Sequence, residues 1–290
     1  MLTLFRSIGL LPLAWLQRFG DVLGRLFYRL SASERRRIEQ HLQLAKAYLP
    51  ADSDLARIAV ESSAHTGRML AESPWLWFRP ADIVASKVQC VNPSVLDDAE
   101  AAGKGVLFLT PHIGSFDAAA RWYSTRRPVT VMYKPPKKRW LQPLMKAARN
   151  RDTLTAAPAS LAGLRQVVRT LRAGGGVAIL PDQVPTDGDG QWVPFFGKDA
   201  YTMTLPQRLV ELTGATVVLV LCERLAPGAG WRLHTERLLG TPTPQNCNQA
   251  MQALIQRLPE QYLWSYNRYK QPAGVERIAP STVAAPIARH

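Results

Sequence analysis

Gly105-Val-Leu-Phe-Leu-Thr110 is a short apolar run closed by Pro111, and it leads straight into His112-Ile-Gly-Ser-Phe-Asp117. Consecutive apolar residues without alternation predict a strand buried on both faces, as in a parallel sheet. The segment from Phe116 through Ala118, Ala119 and Ala120 to Trp122 reads as a helix. Open α/β sheets place their chemistry at the carboxyl ends of such strands. A His at the strand end and an Asp in the first turn of the next helix can reach each other there. Both residues also have structural uses, since a strand-end His packs and an Asp at a helix start complements the dipole.

From residue 105 onward, strand-like and helix-like segments alternate. Residues 129–133 read as a strand and 140–149 as a helix. Ser160 caps a helix carrying Leu161, Leu164, Val167, Val168 and Leu171, closed by Gly174-Gly-Gly176. Val177-Ala-Ile-Leu180 reads as a buried strand, 204–212 as a helix, 216–225 and 231–236 as strands, and 246–258 as a last helix. This predicts an α/β fold: a mostly parallel central sheet flanked by helices on both faces. The first hundred residues read as mainly helical. Ser31-Ala-Ser-Glu34 is a capping box opening a helix with Ile38, Leu42, Ala45 and Leu49 on one face, ended by Pro50. A further helix starts at Asp52 or Ser53, carries Leu55, Ile58, Ala59, Met69 and Leu70, and is expected to stop before Pro74. The expected organisation is a membrane-associating N-terminal helix (1–30), an α/β domain (31–270) and a disordered Pro/Ala-rich tail (271–290).

The N-terminal expectation rests on patterning. Leu10, Leu11, Trp15, Leu16, Phe19, Leu23, Leu26 and Phe27 interleave with Arg6, Arg18, Arg25 and Arg29. Only the eleven residues 7–17 are free of charge between Arg6 and Arg18, too few to span a bilayer unaided. No convincing small-residue cleavage site follows. Such a mixture suits a helix lying in, or tilted into, the cytoplasmic interface of a membrane. The alternative is an amphipathic helix on the protein's own core.

The formal net charge of +14 calls for an acidic partner: nucleic acid, anionic lipid or an acidic protein. The charge concentrates between Ala118 and Arg151, where ten basic residues and no acidic one occur. A run so one-sided repels itself, so an anionic ligand is expected to face it. Its place directly after the His/Asp pair favours a substrate phosphate or phosphorylated sugar. Arg149 and Arg151 are the preferred contacts, because Arg grips phosphate bidentately. No helix-turn-helix, zinc finger or RNA-binding signature accompanies the block, so nucleic acid is not the expected partner.

Leu180-Pro-Asp-Gln183 carries the third group of candidates. Asp182 ends a buried strand near the same sheet edge as His112, where it can orient a basic residue or the substrate, or cap a turn. Trp192, Phe195 and Phe196 could line an acyl-chain pocket or belong to the core. Asp187-Gly-Asp-Gly190 lacks the later ligands of a calcium loop and reads as a turn. The three cysteines, Cys90, Cys222 and Cys247, stand in no paired or metal-like spacing and are expected to be reduced core residues in a cytosolic compartment. No Gly-x-Ser-x-Gly elbow, Walker A motif or G-x-G-x-x-G is present, and neither metal nor cofactor is expected. A His paired to a carboxylate is the base half of a serine-hydrolase triad. Without a protein serine before it, the hydroxyl it activates can belong to a substrate, as acyl transfer to an alcohol requires.

The motifs Gly103-Lys-Gly-Val-Leu-Phe-Leu-Thr-Pro-His-Ile-Gly-Ser-Phe-Asp117, Tyr133-Lys-Pro-Pro136, Arg149-Asn-Arg151, Leu180-Pro-Asp-Gln183, Val193-Pro-Phe-Phe-Gly197 and Glu260-Gln-Tyr-Leu-Trp264 occur in that order. This pattern strongly resembles the late acyltransferases of lipid A biosynthesis, the lauroyl/myristoyl transferases of Gram-negative bacteria, within the wider His-x4-Asp glycerolipid acyltransferases. The resemblance runs to about Lys270. It implies a cytoplasmic-face inner-membrane enzyme moving a fatty acyl group from acyl carrier protein to a hydroxyl of an anionic lipid A precursor. It further implies His112 as general base, Asp117 as its orienting carboxylate, and Arg149, Arg151, Asp182, Gln183 and Lys134 in the substrate site. Lys134 stands where Arg is commoner, and Thr202-Met-Thr204 replaces a more continuous Thr run, which leaves acceptor and chain-length preference open. Two readings compete: an acyltransferase for another phospholipid or glycolipid, and a basic nucleic-acid-binding protein with a structural His112. Backbone amides near Gly114 or in the 182–197 loop are candidates for stabilising the oxyanion.

Overall fold

The computed structural model describes residues 2–134, 147, 150, 151, 153–185 and 188–276. The predicted helix 140–149 and residues 277–290 of the predicted tail lie outside that set, apart from residue 147.

Four helices open the chain. α1 (Leu2–Ile8) and α2 (Leu13–Leu30) are separated by a break at residues 9–12, where Pro12 sits before the first turn of α2. α3 (Ala32–Ala45) begins as expected, with Ser31 Oγ accepting the Glu34 N–H. α4 (Leu55–Phe78) is capped by Asp54, two residues past Asp52. It also runs through Pro74 rather than stopping before it. Pro74 removes one helical hydrogen bond. The next turn offsets that loss by burying Trp75 and Leu76, with Trp75 packed on Trp231. Each large apolar side chain so buried contributes roughly 1.5–3 kcal/mol.

The rest alternates: α5 (Ala81–Ala85), β1 (Val88–Cys90), α6 (Pro93–Ala101), β2 (Val106–Leu109), α7 (Phe116–Tyr123), β3 (Val129–Tyr133), β4 (Leu154–Pro158), α8 (Leu161–Arg172) and β5 (Gly176–Ile179). There follow a hairpin, β6 (Gly190–Phe195) and β7 (Lys198–Met203), then α9 (Leu205–Thr213), β8 (Thr216–Arg224), β9 (Trp231–Arg237) and α10 (Pro244–Arg257). The seven-stranded sheet has the order β1-β9-β8-β2-β5-β3-β4. Strands β8, β2, β5, β3 and β4 run parallel, while β9 is antiparallel to β8 and parallel to β1. The expected α/β architecture is therefore present. β2 lies inside the sheet, as its unbroken apolar run requires, and its side chains serve both faces. Leu107 and Leu109 pack with Ile38, Val167 and Leu254 on one face; Val106 and Phe108 pack with Trp75, Leu96 and Ala118 on the other.

Four strands were not anticipated. β1 is only three residues long, and β4, which among the described residues pairs only with β3, is an edge strand that tolerates Pro158. The β6–β7 hairpin turns at Phe196 and Gly197, both at positive φ, as a two-residue primed turn requires. The strained Phe196 is compensated by burial against Tyr48 and Trp264. Phe195 and Phe196 thus belong to the core, not to an open acyl pocket.

α2 buries its small side. Gly20 rests on Gly67 and Gly24 on Ser63 of α4, so closely that a Cβ on either would strike backbone. Leu13 and Leu16 join the core, but the other large apolar side chains of α2 face outward: Trp15 is 65% exposed, Phe19 61% and Leu30 75%, with Val22, Leu23, Leu26 and Phe27 alongside. α2 thus packs on the protein with one face and leaves an apolar face exposed. No helix among the described residues is long and apolar enough to cross a membrane.

Candidate active site

The loop between β2 and α7 carries His112, and β5, the parallel neighbour of β2, ends at the same edge just before Asp182. The two residues meet there. Asp182 Oδ1 lies 2.8 Å from His112 Nδ1, and Oδ2 accepts the His112 backbone N–H at 2.9 Å. Burial alone raises the Asp182 carboxyl pKa. Electrostatic attraction and two hydrogen bonds from His112, with the Arg268 guanidinium, outweigh burial and hold the carboxyl below its ordinary value. An ionised carboxylate only accepts, so it fixes a proton on Nδ1 and leaves the lone pair of the neutral ring on Nε2. Gln183 Nε2 stands 3.1 Å from that nitrogen and caps it.

Asp182 thus supplies a carboxylate to the imidazole, a role for which the resemblance implies Asp117. Phe116, the first residue of α7, packs edge-on against the ring at 5.4 Å between centroids. Asp117 accepts the Trp77 indole N–H through Oδ2 at 3.0 Å. Arg151 Nη1 donates to the Trp77 backbone carbonyl at 3.0 Å, so Trp77 brings Asp117 and Arg151 to one residue of α4. Lys134 is exposed just beyond β3, at the same sheet edge. Arg149 lies outside the described residues.

The basic block is less one-sided in space than in sequence. Arg126 bonds Asp97 and Glu100, Arg127 bonds Glu100, and the buried Arg121 donates to the Arg79 carbonyl. These three answer groups of the protein itself, so the expectation that the whole block faces a ligand does not hold for them.

The loop backbone is fully engaged. His112 N–H goes to Asp182, Ile113 N–H to Pro111, Gly114 N–H to the Gln261 carbonyl and Ser115 N–H to the Cys222 carbonyl. The Gly114 amide is thus occupied and does not supply an oxyanion donor in this arrangement. Gly114 must be glycine: its φ is +55°, and a Cβ would strike the Cys222 carbonyl oxygen. Leu263 N–H donates to the His112 carbonyl at 3.0 Å, which gives the Glu260-Gln-Tyr-Leu-Trp264 motif its place beneath the loop. An apolar cavity of about 30 Å³, lined in part by Phe108, Thr110, Phe116, Ala119 and Ala120, adjoins the site under α7. No group of side chains able to hold a metal ion occurs among the described residues.

Residues that sequence reasoning missed are Trp77, Glu72, Arg224 and Gln261. Glu72 carried a signal, being the lone acid in the apolar stretch Met69-Leu-Ala-Glu-Ser-Pro-Trp-Leu-Trp77.

An open, mostly parallel α/β sheet with a buried carboxylate holding a strand-end histidine puts the candidate site at the carboxyl edge of the strands, where α/β enzymes carry their chemistry. The chain belongs to the bacterial lipid A biosynthesis acyltransferase family, whose pattern matches residues 1–271. It is 24% identical over 277 residues to the lipid A biosynthesis lauroyltransferase of Escherichia coli K12, covering 91% of this chain and 89% of that protein. It is 28% identical over 285 residues to the E. coli K12 lipid A biosynthesis palmitoleoyltransferase, covering 92% and 91%. To a lipid A biosynthesis acyltransferase of Haemophilus influenzae it is 24% identical over 283 residues, covering 92% and 88%. The protein is an acyltransferase of lipid A biosynthesis.

Proposed function

We propose that this acyltransferase moves a fatty acyl group from the thioester of acyl carrier protein to a hydroxyl of a lipid A precursor, with His112 as general base. The observation that carries this reading is the Asp182–His112 pair, which leaves the Nε2 lone pair pointing away from the protein's carboxylate. The acceptor hydroxyl displaces the Gln183 amide, gives its proton to Nε2 and attacks the thioester carbonyl. A tetrahedral intermediate collapses with cleavage of the C–S bond, and the imidazolium returns the proton to the departing thiolate. An ester and a free carrier thiol result, with no covalent enzyme intermediate. Base catalysis of this kind is worth about 10²–10⁴ in rate. The anionic acceptor is bound by Arg149, Arg151 and Lys134, with Asp117 fixed beside Arg151 through Trp77; Asp182 and Gln183 complete the site around the base. Neither metal nor cofactor takes part, and nucleic acid is not a partner.

The protein works on the cytoplasmic face of the inner membrane, with α1 and α2 seated among membrane lipids. The outward Trp15, Phe19 and Leu23 support this, since apolar side chains of that size on one helix face favour the acyl boundary of a bilayer.

The test is acyl transfer by purified protein from acyl carrier protein thioester to lipid A precursor, phospholipid and other glycolipid acceptors. Folded His112→Ala protein is expected to lose at least about a hundredfold in kcat. Near-wild-type turnover by that variant would overturn the mechanism, and preference for a phospholipid would overturn the acceptor.

A further inference from the structure

Directly beneath the reaction loop lies a second polar cluster that the mechanism above does not use. Glu72 of α4 and Arg224 at the end of β8 form a fully buried ion pair: Nη2 to Oε1 is 2.8 Å and Nε to Oε2 is 3.0 Å. The carboxylate is saturated. Its Oε1 also accepts the Ser115 hydroxyl at 2.7 Å, and Oε2 accepts Gln17 Nε2 of α2 at 2.7 Å. Arg224 Nη2 also donates to the Gly114 carbonyl at 2.9 Å, while Nη1 faces His65 Nδ1 at 3.3 Å. The Gln261 side chain closes the underside, accepting the Arg224 N–H and donating to the Arg224 carbonyl, both at 2.9 Å.

A buried ion pair is weak evidence for stability, because apolar pairs of the same volume often hold a core as well or better. What no apolar pair can do is bond the Gly114 carbonyl and the Ser115 hydroxyl. Those two groups follow His112 within three residues, in a loop whose amides are all committed elsewhere.

We infer that Glu72 and Arg224 are positioning residues that fix the loop at Gly114 and Ser115, and with it the His112 imidazole, and that Gln17 extends this support to α2. The inference rests on His112 being the base. It makes the geometry of the reaction loop depend on a helix whose opposite face is apolar and exposed.

The experiment uses the full chain and the acyl-transfer assay with saturation in donor and acceptor separately. Arg224→Lys keeps a cation but loses the planar fork. Its kcat is expected to fall about tenfold to a hundredfold while both KM values stay within about twofold, as loss of orientation without loss of binding predicts. Glu72→Leu with Arg224→Met is expected to keep a cooperative melt yet remain as impaired in kcat. Ser115→Ala and Gln17→Leu, which remove single bonds at the rim, should lower kcat severalfold with KM unmoved. A folded Glu72→Leu/Arg224→Met protein with wild-type kcat overturns the inference, as does a kcat loss that only follows the folded fraction. If the double variant does not fold, Arg224→Lys and Ser115→Ala decide by the same split between kcat and KM. Wild-type kcat in Gln17→Leu removes the link to α2. Failure of the base assignment shows separately, as activity retained in His112→Ala.

Discussion

Asp182 holds His112 twice, one carboxylate oxygen on the ring Nδ1 and the other on the residue's own backbone N–H. The grip fixes the ring's tautomer and the loop's entry angle together. Asp182→Asn is isosteric but can present an amide N–H where the imidazole needs an acceptor. The expected loss is about 10²–10⁴ in kcat, with acceptor KM little changed, measured on protein of unaltered melting temperature. A loss below threefold would show that the ring is oriented by something else.

Gln183 gives a prediction with a sign. Its amide is neutral beside Nε2. Gln183→Glu places a carboxylate there, which favours the protonated form of a ring beside it. If His112 is the base as proposed, the acid limb of the kcat/KM profile should move to higher pH by about one unit. A profile superimposable on wild type would dissociate the titrating base from His112.

Part of this site was legible in the sequence. β2 was readable because an unbroken apolar run has one home in an α/β fold, and the edge shared by His112 and Asp182 followed from two buried strands ending there. The Trp77–Asp117 bond was not readable. It requires α4 to continue through Pro74, and local propensity argues against that while the burial of Trp75 and Leu76 decides it. The basic block misled for a similar reason: Asp97 and Glu100 lie outside it in sequence but opposite Arg126 and Arg127 in the fold. The inward side of α2 was equally hidden, since glycines show a close helix contact only once the partner, here Gly67 and Ser63, is known.

The outward face of α2 predicts lipid binding independent of catalysis. Trp15→Glu, Phe19→Glu and Leu23→Glu change exposed side chains that lie outside the core clusters. Fully burying a side chain of this type is worth roughly 1.5–3 kcal/mol, so even partial insertion of three should matter at least about tenfold in the vesicle-bound fraction. Sedimentation with vesicles containing anionic lipid reads this directly. Unchanged pelleting of the triple variant would place the anchor elsewhere.

His65 links the buried network to pH. Burial first, and the charge of Arg224 next, push its pKa down to about 2 from an ordinary value of 6.5. Between those values the unfolded chain binds a proton that the folded protein does not. Stability must therefore rise with pH across that window and fall as the solution is acidified below about 6.5. Well inside the window, this one residue removes roughly 1 kcal/mol for each pH unit. His65→Asn keeps a neutral acceptor near the position of Nδ1, where Arg224 Nη1 needs one, and abolishes the titration. Its denaturant midpoint is expected to sit near wild type at pH 7.5 and to fall less steeply between pH 6.5 and 5. His41, whose pKa burial also lowers, is present in both proteins and cancels in the comparison. Parallel midpoint curves for the two proteins would mean that His65 takes up its proton without opening the Glu72–Arg224 network, and the neutral state assigned to it would be wrong.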